Sequence, residues 1–332
     1  MQAAYFYPMG SAAITVLVLR WLLSGRLSRL PLDQPNLRSL HAAPVPRSGG
    51  IGIMAGILVV GVLLASQWPM LLLCTALLSL LSFIDDLRGL TPALRLAIHV
   101  IAALAFAIAT LPHLSPLWLA FLVVAIVWVI NLYNFMDGSD GLAGGMTLFG
   151  FLIYAVAAWH ASLTVLAVFS LSIAASALAF LFFNFHPARI FMGDVGSVPL
   201  GFLGAAIGIL GWQAGAWPGW FPILVFSPFI ADATVTLLRR LRRGERVWEA
   251  HHEHYYQKLV RSGKGHRWTA AAEYSVMALC GVSALWGMQQ SLFTQMLLLL
   301  CWALIYACIM VAIERRWREF SAQKEISGQS EI

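Results

Sequence analysis

The 332-residue chain is too apolar to be a soluble domain, since 60% of its residues are hydrophobic and only 11% are charged. Soluble domains contain roughly 45–50% apolar and about 25% charged residues. Anionic lipids or anionic substrates account for the net charge of +6, which gives no reason to expect nucleic acid as a partner. The composition predicts a polytopic membrane protein.

Apolar runs of about 20 residues, the length of a helix that crosses a bilayer, follow one another along the chain. Only short polar segments separate them, so we expect a single integral membrane domain over residues 1–332. The predicted fold class is all-α, with about 11 transmembrane helices. The eleven runs begin near Tyr5, Gly50, Pro69, Leu94, Leu117, Met146, Leu163, Val198, Trp220, Trp268 and Ser291.

Lys and Arg residues orient these spans. If the spans alternate in direction, all 21 of these residues lie in one set of loops or at the helix ends that face it. Positively charged loops mark the cytoplasmic side of a membrane protein. The N-terminus is therefore predicted to be periplasmic and the C-terminus cytoplasmic. The first span lacks the features of a cleaved signal peptide and is expected to be retained.

The first predicted cytoplasmic loop, residues 26–50, is rich in Pro and Arg. Arg38, His41 and Arg47 are candidates for contacts with an anion, although they could equally be ordinary positive charges of a cytoplasmic loop. The glycines around Gly50 would let the second span begin close against a neighbouring helix.

The third span ends in SFIDDLRGL, which places Asp85 and Asp86 side by side. Adjacent carboxylates repel, so at least one of them requires a cation or a proton. Arg95 and His99 lie one turn apart on the next helix and could face this pair. The alternative is that the two acids are only the polar end of a helix.

The stretch NLYNFMDGSDGLAGG, residues 131–145, closes a fully apolar run with Asn131, Asn134, Asp137 and Asp140. On a helical turn the two acids would share one face, and the four glycines would let the backbone approach a ligand. This combination suits a metal-bound phosphate. Alternatively, the acids cap the following helix.

The seventh span ends in LFFNFHPARIFMGDVGSVPLG, where Asp194 stands among glycines. Asn184 and Phe191 offer an amide and an aromatic plate that suit a flat base, but Phe191 could also be a membrane-interface aromatic. His186 is expected to be a loop residue without a chemical role.

In the ninth span, Pro222 and Pro228 predict a kink or break. Asp232 follows within the apolar stretch, and an acid inside a span is a functional candidate. The alternative is an ion pair between Asp232 and Arg239 or Arg240.

The longest inside loop, residues 239–267, is basic and rich in histidine, a composition that can hold phosphates. His251 and His254 would share a face if this segment were helical. Zinc is not expected, because neither Cys nor paired acids complete a tetrahedral set. The segment could instead be a basic helix lying on anionic lipid.

Five acids are thus expected at one cytoplasmic rim, beside basic and histidine residues. Such a set suits a divalent cation and phosphates; Mg²⁺ is the first choice, with Mn²⁺ as the alternative. A site at the membrane surface also suggests one lipid-borne and one soluble substrate. The acids are Asp85, Asp86, Asp137, Asp140 and Asp194, in predicted catalytic loops near 26–50, 85–93, 131–145, 184–197 and 239–267.

Five motifs together resemble the polyprenyl-phosphate N-acetylhexosamine-1-phosphate transferases, a family that includes the phospho-MurNAc-pentapeptide translocase and the undecaprenyl-phosphate GlcNAc-1-phosphate transferase. The resemblance implies transfer of a sugar 1-phosphate from a UDP-sugar to undecaprenyl phosphate with release of UMP. It also implies a magnesium requirement and an active site on the cytoplasmic face of the bacterial inner membrane, and leaves open a homodimer. The motifs are PNLRSLHAAPVPRSGG, FIDD, NLYNFMDGSDGLAGG, FFNFHPARIFMGDVGS and AHHEHYYQ, within residues 33–261.

The resemblance also implies residue roles. Asp194 matches the magnesium ligand and Asp137 a second acid of the metal and diphosphate site. Asp85 and Asp86 match paired acids, one of which is proposed as a base, so the predicted catalytic set is Asp85, Asp86 and Asp137. Asp140, Asn184 and Phe191 match positions associated with the uridine, and the full predicted substrate-binding set is Asn131, Asn134, Asp140, Asn184, Phe191, Arg47, His251, His254, Tyr256 and Gln257.

Two departures bear on the sugar. Leu87-Arg88-Gly89 follows the acid pair where GlcNAc-type members usually carry a third acid. The spacing of HHEHYYQ looks more like the subgroup that starts O-antigen chains with 6-deoxy sugars, which favours UDP-FucNAc or UDP-QuiNAc over UDP-GlcNAc.

Two other functional classes compete with this reading. A transporter would place its site near the bilayer midplane between internal repeats, whereas these acids are expected at one rim. A CDP-alcohol phosphotransferase would carry its acids in one helix-borne run, whereas here they come from three separate loops.

Overall fold

The computed structural model describes residues 6–24, 32–33, 44–64, 67–246 and 251–326, nearly all of them helical. The expected all-α class is confirmed, apart from a two-residue antiparallel pairing of β1 (Leu32–Asp33) with β2 (Val45–Pro46). The helices are α1 (Phe6–Leu23), α2 (Gly49–Leu64), α3 (Pro69–Arg88), α4 (Pro92–Thr110), α5 (Pro116–Phe135), α6 (Leu142–His160), α7 (Thr164–Asn184), α8 (Asp194–Gln213), α9 (Trp220–Val225), α10 (Ser227–Arg242), α11 (Tyr255–Leu259), α12 (Gly265–Gly287) and α13 (Leu292–Ile326).

Within the described ranges, eight helices are long and apolar enough to cross a membrane: α1, α3, α4, α5, α6, α7, α8 and α13. The protein is therefore multi-pass. The other three predicted spans correspond to α2, which has only 16 residues, to the α9–α10 pair, and to α12. The count of eleven and the orientation of the termini stay predictions.

The predicted break in the ninth span is confirmed. The helix stops at Val225 and restarts at Ser227, so α9 and α10 are separate helices. Pro228 is in the first turn of α10, where its missing N–H costs no hydrogen bond.

Helices α6, α7 and α8 form the centre of the bundle. In the apolar stretch of each of these helices, 72%, 72% and 89% of the residues are buried, against 17% for the peripheral α13. Aromatic packing extends this core toward α9: the Tyr154 ring stacks on Trp217 with centroids 5.0 Å apart, and its hydroxyl donates to the Gly204 carbonyl at 3.0 Å. The helices that carry the polar motifs are therefore anchored in a packed core.

Glycine allows the start of α2 to lie directly against the start of α8, as the sequence predicted. The Gly50 N–H donates to the Met192 carbonyl at 2.8 Å. A Cβ at Gly50 would lie only 2.3 Å from the Gly196 nitrogen, closer than any real Cβ contact. This contact brings the segment 44–48 beside the N-terminus of α8.

We expect Gly50→Ala to lower the stability of the protein by about 1–3 kcal/mol, because the added methyl group meets backbone that cannot rotate away. The matched control is Gly10→Ala in α1, where nothing lies within 4 Å of the new Cβ. Thermal unfolding in detergent should show a lower midpoint for Gly50→Ala alone. Equal midpoints would contradict the close packing of α2 on α8.

Candidate active site

Two of the predicted acids meet where α3 ends and α8 begins. The Arg47 guanidinium lies 3.4 Å from Asp194 Oδ1 and 3.8 Å from Asp86 Oδ1. The Val195 N–H donates to Asp86 Oδ2 at 3.3 Å. Three separate chain segments therefore converge on one carboxylate pair, as the sequence predicted for Asp86 and Asp194.

Arg95 on α4 joins Asp85 to the same cluster. Its Nη1 lies 3.3 Å from Asp85 Oδ2 and 3.7 Å from Asp194 Oδ2. The Leu90 N–H donates to Asp85 Oδ1 at 2.6 Å. The expectation that Arg95 faces the acid pair is confirmed, and both oxygens of Asp85 have partners.

The asparagines of the 131–145 stretch differ in their surroundings. Asn134 Nδ2 donates to Asp194 Oδ1 and to Ser197 Oγ, both at 2.9 Å, so it orients the Asp194 carboxylate. Asn131 Nδ2 instead donates to the carbonyl of Val127, one turn back on α5.

Asp137 lies in the turn between α5 and α6 and faces the cluster. The Gly193 N–H donates to its carboxylate. Burial raises the pKa of Asp137 well above its usual value; Arg47 opposes this shift, while the neighbouring Asp194 and Asp86 add to it. An acidic group in this position gains from a cation beside it.

The oxygen donors gathered here are of the type that Mg²⁺ prefers. Asp86, Asp137 and Asp194 interact electrostatically, and carboxylates held this close repel one another unless positive charge offsets them. Arg47 and Arg95 supply part of that charge. The donor set fits a divalent cation.

Asp140 belongs to a different cluster. The turn at 137–141 is not helical, so the expectation that Asp137 and Asp140 share a helical face was wrong. Asp140 Oδ2 accepts from the Ala188 N–H at 3.1 Å and lies 2.6 Å from His186 Nδ1, while His266 Nδ1 is 4.0 Å from Oδ1. His186, to which the sequence assigned no role, is thus an Asp140 partner.

The ligand atoms of Asp140, His186 and His266 lie within 4.8 Å of one another, close enough in principle for a metal. The two imidazole rings, however, stack with an interplanar angle of 9° and centroids 5.1 Å apart. Ring-nitrogen lone pairs lie in the ring planes, and nearly parallel planes do not meet at one ion. This geometry suits a hydrogen-bonded network, in which Ser139 Oγ also lies 2.9 Å from His266 Nδ1.

Asn184 has both ends of its amide satisfied within the protein. Its Oδ1 accepts from the Gly141 N–H and its Nδ2 donates to the Ile190 carbonyl, each at 2.9 Å. It therefore bridges the two loops, 136–141 and 185–193. Phe191 is half-buried, and its backbone bonds to the loop that carries Arg47.

The glycines of the 131–145 stretch admit the protein's own side chains. The nearest neighbour of a Cβ at Gly138 would be the Tyr256 hydroxyl, and at Gly145 the Tyr274 ring. Tyr274 also donates to the Gly141 carbonyl at 2.7 Å. The sequence predicted that these glycines let the backbone approach a ligand; in the structure, the side chains nearest to Gly138 and Gly145 are tyrosines of α11 and α12.

Asp232 anchors the histidine-rich segment. Its Oδ1 accepts from the Tyr255 N–H and its Oδ2 from the Tyr256 N–H, each at 3.0 Å, and His254 Nδ1 lies 3.0 Å from Oδ1. The alternative, an ion pair of Asp232 with Arg239 or Arg240, is not among the ion pairs of the described residues. Arg239 instead pairs with Glu314, and Arg240 pairs with Glu245.

The remaining predicted binding residues of this segment also have partners inside the protein. Gln257 Oε1 accepts from the His254 N–H in a capping box at the start of α11. The buried Tyr256 hydroxyl donates to the Phe135 carbonyl at 3.2 Å. This contact ties the segment to the turn that carries Asp137.

His251 lies before α11, so it does not share a helical face with His254 as predicted, although the two rings are 4.8 Å apart. Burial lowers the pKa of His251 to about 4, with further lowering by His254 and Arg240. Its ring is therefore neutral near pH 7. Arg38 and His41 lie outside the described residues.

An apolar groove of about 730 Å³, large enough for a ligand of many atoms, leads to the acid cluster. Its polar end contains Asp85, Arg95 and Asp194, and its walls come from α3, α4, α5, α8 and α10. His99 also lines it, with a buried Nδ1 that has no hydrogen-bond partner among the described residues. The groove combines a charged end with an apolar length.

Comparison with known proteins gives one consistent family. The model of glycosyl transferase family 4 matches residues 68–212. A probable undecaprenyl-phosphate N-acetylglucosaminyl 1-phosphate transferase of Bacillus subtilis is 30% identical over 273 residues, 76% of each chain. A phospho-N-acetylmuramoyl-pentapeptide-transferase of Halalkalibacterium halodurans is 29% identical over 64% of this chain and 75% of its own. An undecaprenyl-phosphate alpha-N-acetylglucosaminyl 1-phosphate transferase of Yersinia pestis is 24% identical over 86% and 85%.

We expect Asp232→Asn to lower the free energy of unfolding by about 3 kcal/mol, because a carboxamide cannot accept all three hydrogen bonds and a buried donor loses its partner. The control is Glu314→Gln on α13, which removes the charge of a half-buried partner of Lys258. It should lower the free energy of unfolding by about 1 kcal/mol or less. Thermal unfolding and limited proteolysis of residues 243–265 measure both. Equal effects of the two variants would contradict the anchoring role of Asp232.

Proposed function

Because the chain belongs to glycosyl transferase family 4, we propose that it transfers N-acetylhexosamine 1-phosphate from a UDP-sugar to undecaprenyl phosphate and releases UMP. The observation that carries the proposal is the placement of the acid cluster at the end of an apolar groove. A polyprenyl phosphate is an apolar chain that ends in a phosphate, and the groove offers complementary surroundings for both parts.

In this proposal the lipid phosphate lies at the polar end of the groove. Arg95 is half-exposed there and carries the positive charge that a phosphate requires. Asn131, which also lines the groove, offers an amide to the same region. The prenyl chain extends along the apolar walls and leaves through the lipid-facing side of the bundle.

Asp194 and Asp137 would hold a magnesium ion, with Asp86 next to them. Mn²⁺ shares the preference for oxygen ligands. Bound there, the ion would neutralise the diphosphate of the UDP-sugar and stabilise UMP as the leaving group. The chain's own contribution is to fix these carboxylates through Asn134 and the Gly193 N–H.

In the reaction, an oxygen of the lipid phosphate attacks the phosphorus that bears the sugar. The bond between this phosphorus and the bridging oxygen breaks, and UMP departs with that oxygen. A phosphate monoester has a second pKa near 6, so a base has at most one proton to remove. Asp85 and Asp86 are the candidates, and Asp85 lies at the groove.

The sugar is proposed only as an N-acetylhexosamine. The relatives from Bacillus and Yersinia are named for N-acetylglucosamine. The spacing of His251, His254, Tyr256 and Gln257 favours FucNAc or QuiNAc, as starters of O-antigen chains.

The inner-membrane location and cytoplasmic site belong to the same proposal. Family membership favours this transferase over a transporter or a CDP-alcohol phosphotransferase.

The test is UMP release by purified protein with magnesium, undecaprenyl phosphate and a panel of UDP-N-acetylhexosamines. We expect one donor to be preferred and Asp194→Asn to lower kcat at least 100-fold, because its carboxylate accepts bonds from Asn134 and Arg47. Glu319→Gln, an exposed acid on α13, is the control and should keep its activity. Absence of UMP with every donor, from folded protein, would overturn the proposal.

The groove assignment predicts a separate kinetic effect. Leu96 lines the groove and is 51% exposed, whereas Leu178 on α7 is 47% exposed and lies outside it. Leu96→Trp should raise the KM for undecaprenyl phosphate about tenfold, since the indole occupies space for the prenyl chain. The KM for the UDP-sugar should not change, and Leu178→Trp should change neither. A selective effect of Leu178→Trp would place the prenyl chain elsewhere.

A further inference from the structure

A second cavity lies on another side of the bundle, between α1 and α7. It has a volume of about 490 Å³, and its lining residues are Val16, Arg20, Leu23, Phe182, Phe183 and Arg189. Its α1 residues follow the i, i+4, i+7 spacing of one helix face. The groove at the acid cluster is formed by other helices, so the two sites are separate.

The cavity combines an apolar wall with two arginines. Arg20 is in the last turn of α1, and Arg189 is in the loop that leads from α7 to Asp194. Arg189 donates to the Phe182 carbonyl at 3.1 Å and lies 4.8 Å from the centre of the Phe183 ring. Neither guanidinium forms an ion pair with a described residue, so two positive charges line the cavity without an ion-pair partner in the described part of the chain.

The cavity opens toward the lipid-facing surface. Phe182, at its wall, is 74% exposed, and Leu17, which follows Val16 in α1, is 66% exposed. Both belong to helices that are candidate membrane spans. A ligand entering here therefore comes from the bilayer, and the arginines lie at the level of a span's end, where headgroups lie.

We propose that this cavity binds an anionic phospholipid of the surrounding bilayer, with the lipid phosphate held between Arg20 and Arg189. One acyl chain packs along the apolar wall between α1 and α7. Charge complementarity selects an anionic headgroup over phosphatidylcholine. The proposal does not depend on the transferase activity, because the cavity contains none of the residues assigned to that reaction.

A bound lipid would also restrain the loop that precedes the acid cluster. The Arg189 N–H donates to the Phe183 carbonyl at 2.8 Å, which folds this loop back on the end of α7. Five residues later the chain reaches Asp194. The lipid therefore stabilises the folded protein, and the effect is measurable without substrate.

The experiment compares protein in nanodiscs of phosphatidylcholine alone with protein in discs that contain phosphatidylglycerol. We expect phosphatidylglycerol to raise the thermal midpoint by roughly 3 °C or more, by linkage. Arg20→Gln/Arg189→Gln should remove at least half of this shift. The control Arg242→Gln/Arg318→Gln removes the same charge from exposed positions on α10 and α13. This control should keep the full shift of the thermal midpoint.

Native mass spectrometry gives a second readout that does not depend on stability. Wild-type protein should retain one more phosphatidylglycerol molecule than the double variant. Val16→Trp, which fills the cavity without changing charge, should lose the same molecule. An undiminished shift and undiminished retention in both variants would overturn the proposal. The proposal would also fail if glycerol phosphate in solution, or undecaprenyl phosphate alone, raised the thermal midpoint equally in phosphatidylcholine discs and the Arg20→Gln/Arg189→Gln variant abolished that rise.

Discussion

The Asp194 carboxylate is the point on which the site depends. It begins α8, at the positive end of a helix dipole, and it interacts with Arg47, Arg95 and Asn134 from three other parts of the chain. None of these partners is near Asp194 in sequence. Their convergence requires α2, α4 and α5 to pack closely on α8, and the backbone contact at Gly50 permits the first of these approaches.

A second layer of contacts holds the turn with Asp137. Asp232 fixes the start of α11 through two backbone amides and His254, and α11 then places Tyr256 against the Phe135 carbonyl. An acid inside a predicted span thus serves as the acceptor for a helix N-terminus. Through these contacts the histidine-rich motif holds the turn that carries Asp137.

Much of the fold was predictable because membrane spans have a strong one-dimensional signal. Apolar runs of the right length become helices, and Pro222 and Pro228 break the helix between them. Segments that are short or more polar, such as α2 and α12, lack the length or the apolar character of a clear span. The number of spans is therefore harder to predict. That Asp86 and Asp194 lie close together could be inferred from the sequence, because both acids stand at span ends that face the same side of the membrane.

The partners of individual side chains were less predictable, because they depend on contacts between distant segments. Asp140 was grouped with Asp137 on the assumption of a helical turn, yet the turn is irregular and directs Asp140 to His186 and His266. The motif spacing contains no signal for His266, which comes from the start of α12.

The same reasoning separates two kinds of buried charge in this protein. Asp232 contacts two backbone N–H groups and the His254 ring, all from the protein itself, so its place is fixed before any ligand binds. Asp137 has one backbone donor and a buried position that raises its pKa; Arg47 opposes this shift, and two acidic neighbours add to it. A buried acid with its own donors stabilises structure, whereas one beside like charges gains from a cation. On this physical ground the proposed reactive centre is the set Asp137, Asp86 and Asp194, and Asp232 belongs to the structure around it.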